Sequence, residues 1–164
     1  MTSAGQPPAM VTITVNGRRR TAPAAGHVSL LRWLREEAGV TDPKYGCGEG
    51  ICGACAVLVD GLAVSACIVL AAQADGCEVT TAGGLCRPDG SLGPLQQAFH
   101  RHHAAQCGFC TPGMLICATA MLAGGRHLTR EEIREELHGN ICRCTGYGPI
   151  VTAIDSVQNG AATR

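Results

Sequence analysis

The sequence predicts an α+β unit followed by an all-helical half, and three observations carry that division. Alternating strand patterns and tight-turn dipeptides are confined to residues 10–84. Helical spacing and helix-start signals fill residues 85–160, where no strand pattern occurs. Eight of the eleven cysteines form two ordered groups, one in each part. The chain is therefore read as two small domains, 10–84 and 85–160.

In the first part, Met10 to Val15 alternates apolar residues with Thr and runs into Asn16-Gly17, a hairpin signal, so Arg18 to Pro23 returns as the second strand. Ser29 can cap a helix that places Leu30, Leu31, Leu34 and Ala38 on one face, closed by Gly39. A cysteine-rich loop follows. Ala54 to Val59 and Leu62 to Cys67 flank an Asp60-Gly61 turn as another strand pair, and Cys77 to Thr81 supplies the last strand.

Leu85 to Gly93, containing Pro88-Asp89-Gly90, reads as a linker. Beyond it Leu92, Leu95 and Phe99 recur at helical spacing. Thr111-Pro112 signals a second helix, with a cap residue and Pro at the first helical position, apolar on nearly all sides as far as Gly124-Gly125 and so expected at the centre of its bundle. Thr129 to Glu132 forms a capping box for a charged helix ending at Gly139. Thr145 can cap a fourth through Ile150, Ala153, Ile154 and Val157. Cys110 and Cys144 would then each stand directly before a capped helix. That pseudo-symmetry would point two positive helix ends at one anionic centre.

Composition excludes several functions. Thirteen basic residues balance thirteen acidic ones, so no basic surface for nucleic acid is implied. The longest strongly apolar stretch, residues 114–123, falls short of the roughly 20 residues that span a bilayer. The N-terminus lacks the charged and apolar regions of a Sec leader, and Arg18-Arg19-Arg20 precedes no hydrophobic run as a twin-arginine signal would. A cytoplasmic protein is expected, where disulfides are disfavoured and dense cysteine points to metal or redox chemistry. Apolar residues make up 46% but aromatics only 3%, so each small core has little bulk and a bound metal centre would supply part of the folding free energy.

Cys47, Cys52, Cys55 and Cys67 show the C-x4-C-x2-C spacing with a later Cys that characterises plant-type [2Fe–2S] loops. Gly46, Gly48, Gly50 and Gly53 interleave them, because a loop wrapping a cluster must turn backbone N–H groups toward sulfur. Cys107 and Cys110, completed far downstream by Cys142 and Cys144, form a second set of four. Zinc also takes four thiolates and stays an alternative, more so for the second set, whose spacing alone is less diagnostic.

Lys44-Tyr-Gly-Cys-Gly48, Cys52-Gly-Ala-Cys55, Gln106-Cys-Gly-Phe-Cys-Thr-Pro-Gly-Met114 and Gly139-Asn-Ile-Cys-Arg-Cys-Thr-Gly-Tyr147 resemble the iron–sulfur subunit of the xanthine oxidase family of molybdenum hydroxylases. The resemblance runs from about Val11 to Val157. It implies a plant-ferredoxin-like β-grasp domain followed by a four-helix bundle, each holding one [2Fe–2S] cluster. Also implied are a large partner carrying a molybdopterin cofactor and a medium partner carrying FAD. Cys107, Cys110, Cys142 and Cys144 would hold the cluster nearer molybdenum, and Cys47, Cys52, Cys55 and Cys67 the one facing the flavin. Gln106 resembles the family glutamine that hydrogen-bonds the pterin, and Cys144 the ligand closest to it. Two departures bear on the interfaces: Ile51 stands where Gln is common, and Thr81-Ala-Gly-Gly-Leu85 lacks the usual acidic residue.

Cys77, Cys86 and Cys117 lie outside both sets and are read as packing residues, and Trp33 as core or subunit packing. His100-Arg-His-His103 could suggest metal binding or a Rieske-type site, but eight thiolates already complete two clusters, so exposed helix-face histidines are expected. The implied role is electron relay. The partner's molybdenum would insert a water-derived oxygen into an N-heterocycle, an aldehyde or carbon monoxide, while this chain carries the electrons onward and binds no substrate. A redox sensor and a zinc-stabilised interaction module are the competing readings.

Overall fold

The computed structural model describes residues 9–160. Most of the N-terminal stretch on which the leader question turned, residues 1–8, lies outside them. The first half builds a mixed sheet from β1 (Ala9–Val15), β2 (Arg18–Ala24), β3 (Ala56–Val59), β4 (Leu62–Ser65) and β5 (Glu78–Thr80), in the order β2-β1-β5-β3-β4. β1 and β5 run parallel and every other neighbouring pair is antiparallel. The β1–β2 turn sits at Asn16-Gly17, both with positive φ, as the dipeptide predicts. Helix α1 (Leu30–Glu36) starts at Ser29, whose Oγ accepts the Arg32 N–H at 3.3 Å.

Alternation along β1 turns Val11, Ile13 and Val15 inward. They pack with Val57, Val79 and the α1 residues Leu30, Leu31, Trp33 and Leu34 into one core. Trp33 is fully buried, so it is a core residue.

Among the described residues the second half holds four α-helices, α2 (Pro94–Arg101), α3 (Thr111–Ala123), α4 (Arg130–Glu136) and α5 (Gly148–Gln158), with a separate core that includes Phe99, Met114, Ile133, Ile150 and Ile154. α5 packs on α2 and α4. α3 touches α2 and also lies against β3 and β4, which explains why it is apolar all round: one side faces helices and another faces the sheet. The linker expected at residues 85–93 is an ordered turn, with the Gly90 N–H donating to Arg87 C=O at 2.9 Å and Leu85 packed on the helical core. Among the described residues no helix is long and apolar enough to cross a membrane.

Helix starts agree with the sequence at Thr129, whose Oγ1 accepts the Glu132 N–H while the Glu132 carboxylate takes the Thr129 N–H. Two others differ. Thr111 is the first residue of α3 rather than its cap, a place that Cys110 takes. α5 starts at Gly148 after Tyr147, so Thr145 caps nothing. The pseudo-symmetry of two cysteines at two helix starts therefore holds for Cys110 alone.

Candidate metal centres

The loop between α1 and β3 winds around sulfur. The N–H groups of Glu49, Ile51 and Cys52 donate to Cys47 Sγ at 3.4, 3.4 and 3.5 Å, and the Cys47 N–H donates to Cys52 Sγ at 3.4 Å. Gly48 and Gly50 take φ of +75° and +76°, which turns those amides inward at little steric cost. Donation from Glu49, then Cys52 and Ile51, holds the exposed Cys47 thiol down at about 6. Cys55 is the opposite case, because burial foremost, with Cys67 beside it, pushes its thiol up to about 12.

The eight cysteines marked in the sequence gather in two sets of four, each made of two close pairs. Cys47 is in contact with Cys52 and Cys55 with Cys67, and Cys52 also lies near Cys55. In the helical half, Cys144 Sγ lies 3.6 Å from Cys107 Sγ and Cys110 contacts Cys142. Burial foremost pushes Cys110 up to about 12. Burial also opposes ionisation of Cys142, but the Thr145 hydroxyl and nearby N–H groups outweigh it, leaving that thiol below its ordinary value. Among the described residues no three or more His, Cys, Asp or Glu side chains close on one point as a single metal ion would require. Sulfurs arranged two and two suit a two-iron centre, in which each iron takes two protein thiolates.

Gln106 is exposed and directly precedes Cys107, itself exposed, as is Cys144. His100 and His103 are exposed and His102 half-buried. Cys86 accepts a hydrogen bond from Gln96 Nε2 at 3.5 Å, and Cys77 lies against the Asp60 carboxylate, which raises its thiol pKa. Ile51 is exposed on the first loop, and at the second departure from the family pattern the Gly83 N–H is taken by Asp42 Oδ2 at 2.8 Å.

Sequence reading missed the seam between the two loops. The Ile141 N–H donates to Cys52 C=O at 3.0 Å, linking the backbone of one cysteine set to the residue before Cys142. Asn140, 4% exposed, directs Nδ2 at Gly53 C=O, 3.5 Å away, and its side chain meets the Cys117 thiol. Gly53, at φ +69°, has no room for a side chain, since a Cβ there would strike Asn140 Nδ2 and Gly139 O. The Gly53–Asn140 contact joins residues 87 apart, so no local pattern announces the seam. A buried Asn beside a ligand motif was the available signal.

Comparison with known proteins identifies both halves of the chain. Residues 13–82 match the 2Fe–2S iron–sulfur cluster binding domain, and residues 81–155 match the [2Fe–2S] binding domain. Fold and sites thus define a two-domain iron–sulfur protein. The chain is 50% identical over 144 residues to the nicotine 6-hydroxylase small subunit of Paenarthrobacter nicotinovorans, covering 88% of this chain and 86% of that one. It is 47% identical to the xanthine dehydrogenase iron–sulfur-binding subunit of Escherichia coli O157:H7, covering 88% and 91%. Among solved structures it superposes on quinoline 2-oxidoreductase from Pseudomonas putida 86 with a TM-score of 0.90 at 43% identity, covering 96% and 97%. The chain belongs to the iron–sulfur small subunits of the xanthine oxidase family of molybdenum hydroxylases.

Proposed function

We propose that this chain relays electrons from a molybdopterin centre on a large partner, through two [2Fe–2S] clusters of its own, to FAD on a medium partner or to another acceptor. The observation that carries the reading is the pair of four-thiol sets joined by the Cys52–Ile141 hydrogen bond. From Cys52 Sγ to Cys142 Sγ the path consists of covalent bonds and that single hydrogen bond. Each cluster would supply one-electron redox chemistry. The chain's own residues set ligand geometry, donate to sulfur and keep the two loops in contact.

In this reading residues 10–84 form a β-grasp domain and residues 85–160 a four-helix bundle. Cys47, Cys52, Cys55 and Cys67 hold the cluster facing the flavin, and Cys107, Cys110, Cys142 and Cys144 the one nearer molybdenum. The density of free thiols suits the reducing cytoplasm. Zero net charge gives nucleic acid no electrostatic footprint. Two clusters require about four iron and four labile sulfide per chain, with two EPR signals on reduction. Anaerobic purification and metal analysis check this, and stoichiometric zinc without sulfide refutes it.

The exposed Gln106, adjoining Cys107, whose Sγ lies 3.6 Å from that of Cys144, would anchor the pterin of the partner, since its amide offers both donors and an acceptor. Gln106→Ala is expected to keep both clusters. In the complex it should slow reduction of the nearer cluster by substrate, through loss of interactions worth on the order of 1–3 kcal/mol once buried. Stopped-flow spectroscopy measures this, and a wild-type rate with wild-type cofactor content removes the anchoring role.

A further inference from the structure

The second ligand loop contains a hydroxyl that neither the cysteine motif nor helix capping accounts for. Thr145 lies three residues beyond Cys142, with its Oγ1 3.2 Å from Cys142 Sγ. The same oxygen accepts the Tyr147 N–H at 3.2 Å. A hydroxyl has one proton and two lone pairs, so the amide fills an acceptor position and leaves the proton for sulfur. A ligating thiolate has no proton to give, which fixes the direction as O–H to S.

Tyr147 is itself held in place. Its phenol accepts the Cys142 N–H at 2.9 Å and donates to Asn140 C=O at 3.0 Å. Its backbone sits at φ +66°, a conformation uncommon for a residue with a side chain. The Cys142 amide is thereby committed to the phenol and turned away from sulfur. The Thr145 hydroxyl is left as the side-chain donor on this ligand.

We propose that Thr145 tunes the second centre: its hydroxyl donates a hydrogen bond to the Cys142 thiolate, favours the reduced and more negative state, and so raises that centre's potential. This rests on the reading of Cys142 as a cluster ligand. One electron enters, no proton is transferred, and the hydroxyl keeps its hydrogen. Hydrogen bonds to sulfur are an established lever on such potentials.

The test is EPR-monitored redox titration of the full chain as wild type, Thr145→Val and Thr145→Ser. Valine keeps the shape without the hydroxyl, and serine keeps the hydroxyl. T145V should lower the potential of the signal that depends on Cys110, by on the order of tenfold in the reduced-to-oxidised ratio at fixed ambient potential, ~59 mV for a one-electron couple. T145S should match wild type, and the other signal should stay put in both. An exchangeable proton coupled to that centre, seen by ENDOR, should disappear in T145V alone. Loss of the second cluster in T145V but not in T145S would also support a hydroxyl that holds Cys142. An unshifted T145V, or T145V and T145S behaving alike, overturns the proposal. Wild-type protein with only about two irons and one signal would instead refute Cys142 as a ligand, a separate failure.

Discussion

Replacing Gly113 with Ala is expected to destabilise the protein, although the position lies in the first turn of α3 and Ala is the better helix former by about 1 kcal/mol. The reason is the seam. A Cβ on Gly113 would strike the carbonyl oxygen of Gly53, with the Gly53 carbonyl carbon at 3.0 Å and the Ala54 Cα at 3.2 Å. These are backbone atoms in a buried segment, so no side chain can swing aside. Gly53 is meanwhile backed by Gly139 and Asn140, which closes the direction of retreat. Overpacking of this kind costs about 3 kcal/mol, the upper end of the usual range, and outweighs the gain in helix propensity. The net loss of about 2 kcal/mol should lower melting by roughly 4–8 °C for a chain of this size. Iron content should fall too, because Gly53 lies between Cys52 and Cys55 and Gly113 follows Cys110 by one helical turn. Gly139→Ala is the control, since a Cβ there meets open space. A G113A protein that melts at or above wild type with full iron would show that the two loops are not in rigid contact.

The parts of this molecule legible in the sequence are those specified by neighbours along the chain. The Asn16-Gly17 turn, the Ser29 cap and the Thr129 capping box each depend on residues within one turn, and each is formed. Both cysteine sets stood out because most of their members recur at short spacing along the chain. The seam was not, since Gly53, Gly113 and Asn140 come from distant segments and glycine is read locally as a turn residue. Thr145 was misplaced for a related reason. A Thr before an apolar run has the pattern of a cap, but Tyr147 takes that position in the left-handed region and frees the Thr hydroxyl for sulfur. The α3 pattern was read correctly as apolar all round, yet its second partner is the sheet, and periodicity cannot say what covers a face.

Cys52→Ser and Cys110→Ser are expected to alter different EPR signals. The pairing of Cys47 with Cys52 and Cys55 with Cys67, apart from that of Cys107 with Cys144 and Cys110 with Cys142, makes the two substitutions independent. The two sets differ in what faces the sulfurs. Four backbone N–H groups donate to Cys47 and Cys52, whereas Cys142 takes the Thr145 hydroxyl together with the N–H groups of Thr145 and Cys144. Each such donor favours added negative charge on sulfur, so the two signals should appear at different potentials. Coincident midpoints in a reductive titration would show that the two environments act alike. Either substitution abolishing both signals in a folded protein would show that the eight thiolates do not divide into two independent centres.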